Sequence, residues 1–285
     1  MTQCETHSNK KLFIYILLYF IILFFSYNTY AFEVQISPET VNPGDVFIVS
    51  INADSVPVAK FNNIFIPLRR LSENKFIGII STDIDTKPGR YQINVKSDVN
   101  KKTININVKE HKFKVTYLTL PPQKVFPSKK DLIRAEKEAA ILSNIFEKVN
   151  PPLWYGKFTK PLNNNISTEF GVKRIMNKEK VSFHKGIDIR GKSGEKVHAI
   201  NKGRVVLADN LFFGGNTVIL DHGQGIYSIY MHLSKINVSK GEIVKQGQIV
   251  GLVGATGRAT GPHLHFGIKV AGIDANPVSL FNLPL

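Results

Sequence analysis

The chain has 285 residues, 43% of them apolar, a formal net charge of +15 and a single cysteine. That length and apolar fraction admit one or two domains with real cores, and the charge suits an anionic wall polymer or membrane surface. No DNA- or RNA-reading motif is present, so nucleic acid is set aside as a partner.

At the N-terminus, Lys10 and Lys11 precede fourteen unbroken apolar or aromatic residues, Leu12 to Phe25. Thr29 and Ala31 then occupy the −3 and −1 positions of a cut after Ala31, the layout of a secretory signal peptide over residues 1–31. The run is shorter than the roughly 20 residues of a membrane span; the alternative is an uncleaved N-terminal anchor. Either way the remainder is expected to be exported, to the periplasm or cell envelope. Cleavage removes Lys10, Lys11 and Glu5 and leaves a charge of +14. It also removes Cys4, the only cysteine, so disulfides, thiol nucleophiles and Cys-ligated metals are excluded. Any metal site must use His and carboxylates.

Residues 32–117 read as a small β-sandwich-like accessory domain. In "TININVK" (103–109), Ile104, Ile106 and Val108 fall on one face, and "VFIVSI", "FIGII" and "YQINV" are further strands. No reactive constellation lies there, which leaves spacing, docking or shielding as its role. A Pro-rich linker over 118–153 carries a helix expected at 128–149. Ser128 and Asp131 form its capping signal, and Leu132, Ala135, Ala139, Leu142, Phe146 and Val149 form one apolar stripe. From 154 to 285 a second all-β unit follows, with a curved or barrel-like sheet, so the chain as a whole is mainly β. "GEKVHAI" (194–200) and "GEIVKQG" (241–247) echo one another, as two copies of one hairpin or by chance.

Six of the eight histidines lie between residues 184 and 265. His184 and Asp188 would sit about 13 Å apart in a straight strand; Gly186 permits the bend that would bring them to one ion. His263 and His265 in "GPHLHFGIKV" share one face of a strand. A hydrolytic zinc site needs three protein ligands and an open position. His184, Asp188 and one histidine of the pair supply them, which leaves a spare imidazole for proton transfer. His232 is a further candidate. His222 and Asn216 read as turn residues, and His198 and His111 as surface.

The ordered motifs "FHKGIDI", "YMHLS" and "TGPHLHF" resemble the lysostaphin/LytM-type zinc metallopeptidases, which cut peptide bridges in peptidoglycan. The resemblance covers about residues 158–281. It takes in "FTKPLNNNISTEFG" and "DANPVSLF", and implies a LytM-like antiparallel β-sheet peptidase domain over 154–285. It further implies that His184, Asp188 and His265 bind one Zn²⁺ and that His232 and His263 are the catalytic histidines. The implied activity is endopeptidase cleavage of peptidoglycan crosslink peptides, of D-alanyl-diaminopimelate type in a periplasmic enzyme. Some relatives have lost ligands and act as non-catalytic activators or scaffolds of wall hydrolases; here every ligand is present. "GEIVKQGQIVGLVG" also looks like a biotinyl or lipoyl carrier hammerhead, but no lysine-tipped hairpin accompanies it.

Overall fold

The computed structural model describes residues 31–119 and 127–285. The expected leader, apart from Ala31, and part of the Pro-rich linker lie outside them. Among the described residues no helix is long and apolar enough to cross a membrane.

The N-terminal unit is built from two sheets. One runs in the order Glu33–Ser37, β1 (Val46–Asn52), β2 (Lys75–Ser81), Leu68–Arg70. The other runs Thr40–Val41, Lys101–Val108, Gly89–Lys96, Val58–Phe61, Ile64–Ile66. Strand alternation divides β1 and β2 between two cores. Phe47, Val49, Ile51, Phe76 and Ile80 fill the space between the sheets with Ile93, Val95 and Ile106. On the opposite face, Val46, Ile48, Ile77 and Ile79 join the same buried cluster as Trp154, Phe170 and Leu280 of the C-terminal unit. Polar contacts seal this junction. Asn276 N–H donates to the Gly44 carbonyl at 2.7 Å and Val46 N–H to Ser279 Oγ at 3.0 Å. The two units therefore share a core.

β3 (Val115–Leu118) straddles the expected boundary at 117. It pairs in parallel with β4 (Lys173–Met176), which pairs with Lys180–Phe183. The C-terminal unit is an antiparallel sheet whose central strands are β5 (Ile187–Arg190), β6 (Gly203–Leu211), β7 (Gly215–Gly223), β8 (Ile226–Leu233) and β9 (His263–Val270). Their order in space is β5-β9-β8-β7-β6.

The linker helix α1 spans Lys129–Phe146, ending before Val149, with Ser128 Oγ accepting from Asp131 N–H at 3.2 Å. Its docked face differs from the expected stripe. Leu142, Ile145 and Phe146 cover Leu207, Ile219, Tyr227 and Ile229, but Leu132 remains 47% exposed. The N-terminal half grips the tip of the β6–β7 hairpin through polar groups instead. Glu138 accepts from Phe212 N–H at 2.8 Å, and Arg134 donates to the Asn210 carbonyl at 2.7 Å. A hairpin tip leaves backbone donors and acceptors free of the strand ladder for such contacts.

The echo between the two GE motifs is a shared turn. At 192–195, 239–242 and 245–248 the first residue's N–H donates to the fourth residue's side-chain oxygen, at 3.0, 3.1 and 3.1 Å. The glycine at the third position has positive φ each time, as that turn requires.

His222 and Asn216 lie on β7 rather than in turns; Asn216 N–H donates to Thr256 Oγ1 at 2.9 Å. His198 is half-buried and His111 exposed. His222 is fully buried, Nδ1–H donating to the Lys202 carbonyl and Nε2 accepting from the Ser228 hydroxyl, both at 2.8 Å. Burial pushes its imidazole down to about 4, against a smaller opposing effect of the Lys202 bond. The unfolded chain takes up this proton near pH 6.5, so the stabilisation is complete above that pH and is lost as pH falls toward 4. The difference is about 3 kcal/mol. Urea unfolding of the wild type from pH 7 to 4 should show a loss of at least this size, and His222→Asn should remove about 3 kcal/mol of it.

Candidate metal centre

His184 ends the segment before β5, and the chain bends at Gly186 before Asp188 enters the strand. The bend places His184 Nε2 2.9 Å from Asp188 Oδ1. Gly186 is also needed for close approach. A Cβ there would lie 2.5 Å from the Phe266 carbonyl and 3.0 Å from His265 Nε2. Gly186→Ala should therefore displace His265 and lower metal affinity at least about tenfold, which competition with a chromogenic chelator would measure.

β9 sits between β5 and β8, with His265 directly opposite Asp188 on one side and Met231 on the other. His265 Nδ1 is 2.8 Å from Asp188 Oδ1 and 3.0 Å from His184 Nε2. The alternation that points His263 and His265 into the site turns Leu264 and Phe266 into the core, where both are fully buried. The three atoms His184 Nε2, Asp188 Oδ1 and His265 Nδ1 thus converge.

The donors suit a divalent cation. His184 Nδ1 lies 2.8 Å from the Glu169 carbonyl, which can only accept, so Nδ1 carries the proton. Nε2 of the neutral ring is then a lone pair facing a carboxylate oxygen, an opposition that a cation between them resolves. The backbone carbonyl is the outer partner that fixes a ligand histidine's tautomer.

His263 and His232 stand beside this group without joining it. His263 Nε2 is 3.8 Å from Asp188 Oδ1, and the His232 and His263 rings are 4.9 Å apart between centroids. The same tautomer logic applies to both. His263 Nδ1–H donates to the Gly261 carbonyl and His232 Nδ1–H to the Thr256 carbonyl, each at 2.9 Å. Both Nε2 atoms are left as acceptors. His232 has φ of +64°, a left-handed conformation unusual outside glycine and concentrated at functional sites. Its N–H donates to the Gly214 carbonyl at 2.8 Å, so the hairpin tip held by α1 also fixes the strained backbone.

Burial alone would raise the Asp188 carboxyl, but the His184 and His265 imidazoles set against it outweigh that effect. They hold the carboxyl well below the usual carboxylate range. Burial first, then the adjacent His265 and His263 rings, push His232 down to about 4. Burial likewise lowers His265, with Asp188 opposing.

All five histidine and aspartate residues singled out in the sequence meet here. Two arginines escaped sequence reasoning. Arg174, on β4, donates to Asp188 Oδ2 at 2.9 Å, which leaves Oδ1 facing His184 and His265. Arg258 lies on the loop before His263, its guanidinium 4.5 Å from the Phe213 ring centroid. Neither belongs to a periodic pattern; the only signal was a basic residue close to the Phe170-Gly171 and Gly261-Pro262 turns.

Residues 182–277 match the model of Peptidase family M23. The peptidoglycan DD-endopeptidase ShyA of Vibrio cholerae is 40% identical over 121 residues, which are 42% of this chain and 28% of ShyA. The DD-carboxypeptidase/endopeptidase Mpg of Neisseria meningitidis is 36% identical over 115 residues, 40% of this chain and 26% of Mpg. The chain thus spans little more than a quarter of either relative. A crystal structure of a Pseudomonas aeruginosa protein ascribed to peptidase M23 superposes with a TM-score of 0.66 at 28% identity. The match covers 84% of this chain and 94% of that one, so the likeness extends beyond the C-terminal unit.

Proposed function

From the premise that residues 182–277 form a peptidase family M23 domain, we propose that the chain is a zinc-dependent endopeptidase of peptidoglycan crosslink peptides, of D-alanyl-diaminopimelate type. The observation that carries this reading is the convergence of His184 Nε2, Asp188 Oδ1 and His265 Nδ1 beside two unligated imidazoles.

His184, Asp188 and His265 would hold one Zn²⁺. Bound zinc supplies a Lewis acid that polarises the scissile carbonyl and lowers the pKa of water toward about 7. His232 and His263 handle protons at Nε2, the atom that each Nδ1–H···O=C bond leaves free. One takes a proton from the attacking water; the other, once protonated at Nε2, stabilises the oxyanion or protonates the departing amine. Arg174 anchors the second oxygen of Asp188 and fixes which oxygen meets the metal.

An exported protein at the wall or membrane surface, retained there by its positive charge, fits this chemistry. The test is zinc analysis with mass spectrometry of products from defined crosslinked muropeptides. New amine and carboxyl ends at the D-alanyl-diaminopimelate bond support the proposal; intact dimers with metal bound overturn it. The alternative of a non-catalytic activator or scaffold predicts that second result.

A further inference from the structure

One guanidinium stands at the candidate metal position, and a second is carried by the loop whose Thr256 carbonyl holds His232. Arg174 is paired with Asp188 Oδ2 at 2.9 Å. Arg258 makes no ion pair with a carboxylate among the described residues; it is exposed and rests on the Phe213 ring. Partial burial first, then the charge of Arg174, lowers the Arg258 guanidinium from its ordinary value. The loop that carries Arg258 is held rigidly against the site. Thr256 Oγ1 donates to the Leu233 carbonyl at 2.8 Å, Thr256 O accepts from His232 Nδ1, and Arg258 N–H donates to the Phe213 carbonyl at 3.0 Å. The segment that sets the tautomer of His232 thus also positions an unpaired cation.

Given the proposed function, on which this inference rests, the substrate carries a matching group. In diaminopimelate each amine-bearing carbon also bears a carboxyl, so a crosslink through that amine leaves a free carboxylate one carbon from the scissile nitrogen. A glycine bridge has a peptide carbonyl there. We propose that Arg258, with Arg174 beside it, forms an anion subsite for this α-carboxylate and selects bonds to a carboxylate-bearing centre over amidated or glycine-linked ones. Guanidinium and carboxylate match as a planar, two-bond pair.

The test uses the zinc-loaded full chain and two crosslinked dimers, identical except for a free acid or a carboxamide at that carbon. The wild type should favour the acid in kcat/KM by at least about tenfold. Arg258→Gln should bring the ratio to within about twofold of one, and Arg258→Lys should keep part of the preference. A wild-type ratio near one, or a preference unchanged in Arg258→Gln, overturns the subsite. Calorimetric binding of both dimers separates the two readings. If neither is cleaved, the proposed function has failed, and the subsite stands or falls on whether the acid still binds more tightly.

Discussion

His265→Ala should lose both its zinc and its peptidase activity, whereas His263→Ala should keep its zinc and lose turnover. The two imidazoles share a strand face yet differ in what they touch. His265 Nδ1 lies within 3.0 Å of both His184 Nε2 and Asp188 Oδ1. His263 comes no nearer than 3.8 Å to that carboxylate oxygen and uses Nδ1 on the Gly261 carbonyl. Loss of one of the three proposed ligands should empty the site, while loss of a proposed proton-transfer group should cost about 10²–10⁴ in kcat with the metal in place. Equal zinc loss in both variants would contradict the division of roles. Zinc content per chain and kcat on one defined dimer, measured on the same preparations, decide it.

The second large effect is on stability. Ile48→Ala should cost about 2–5 kcal/mol and lower the melting of both β units together. Ile48 is 3% exposed and belongs to the cluster that contains Trp154, Phe266 and Leu280 rather than to the sandwich interior. Removal of residues 32–118 goes further, because it uncovers the surface now buried under Val46, Ile48, Ile77 and Ile79. At about 1.5–3 kcal/mol per buried aliphatic side chain, that is comparable to the whole stability of an ordinary domain. A 119–285 fragment should therefore melt well below the full chain and bind a hydrophobic dye. Two calorimetric transitions in the full chain, with only the first moved by Ile48→Ala, would show the units to be independent.

The sequence revealed the strands well because their alternation is clean. Ile106 and Val108 face inward as "TININV" requires, and "HLHF" places two imidazoles and two core residues on opposite faces. The site residues were legible as types and order, but not as geometry. The His184–Asp188 contact depends on a bend, and the tautomers depend on carbonyls at Glu169, Thr256 and Gly261 that no side-chain pattern encodes. The shared core had a sequence trace that alternation obscured: Val46 to Val49 is apolar at every position, the mark of a strand buried on both faces. The docked face of α1 departs from the apolar stripe because Arg134 and Glu138 bind backbone at the hairpin tip, a polar attachment that apolar periodicity does not encode.

Mass spectrometry of one defined D-alanyl-diaminopimelate-crosslinked dimer, incubated with the purified chain before and after chelation and zinc restoration, tests whether the chain is a zinc-dependent endopeptidase. Monomers formed by uptake of one water should appear, vanish on removal of the metal and return with it. An intact dimer in the presence of stoichiometric zinc would contradict that activity.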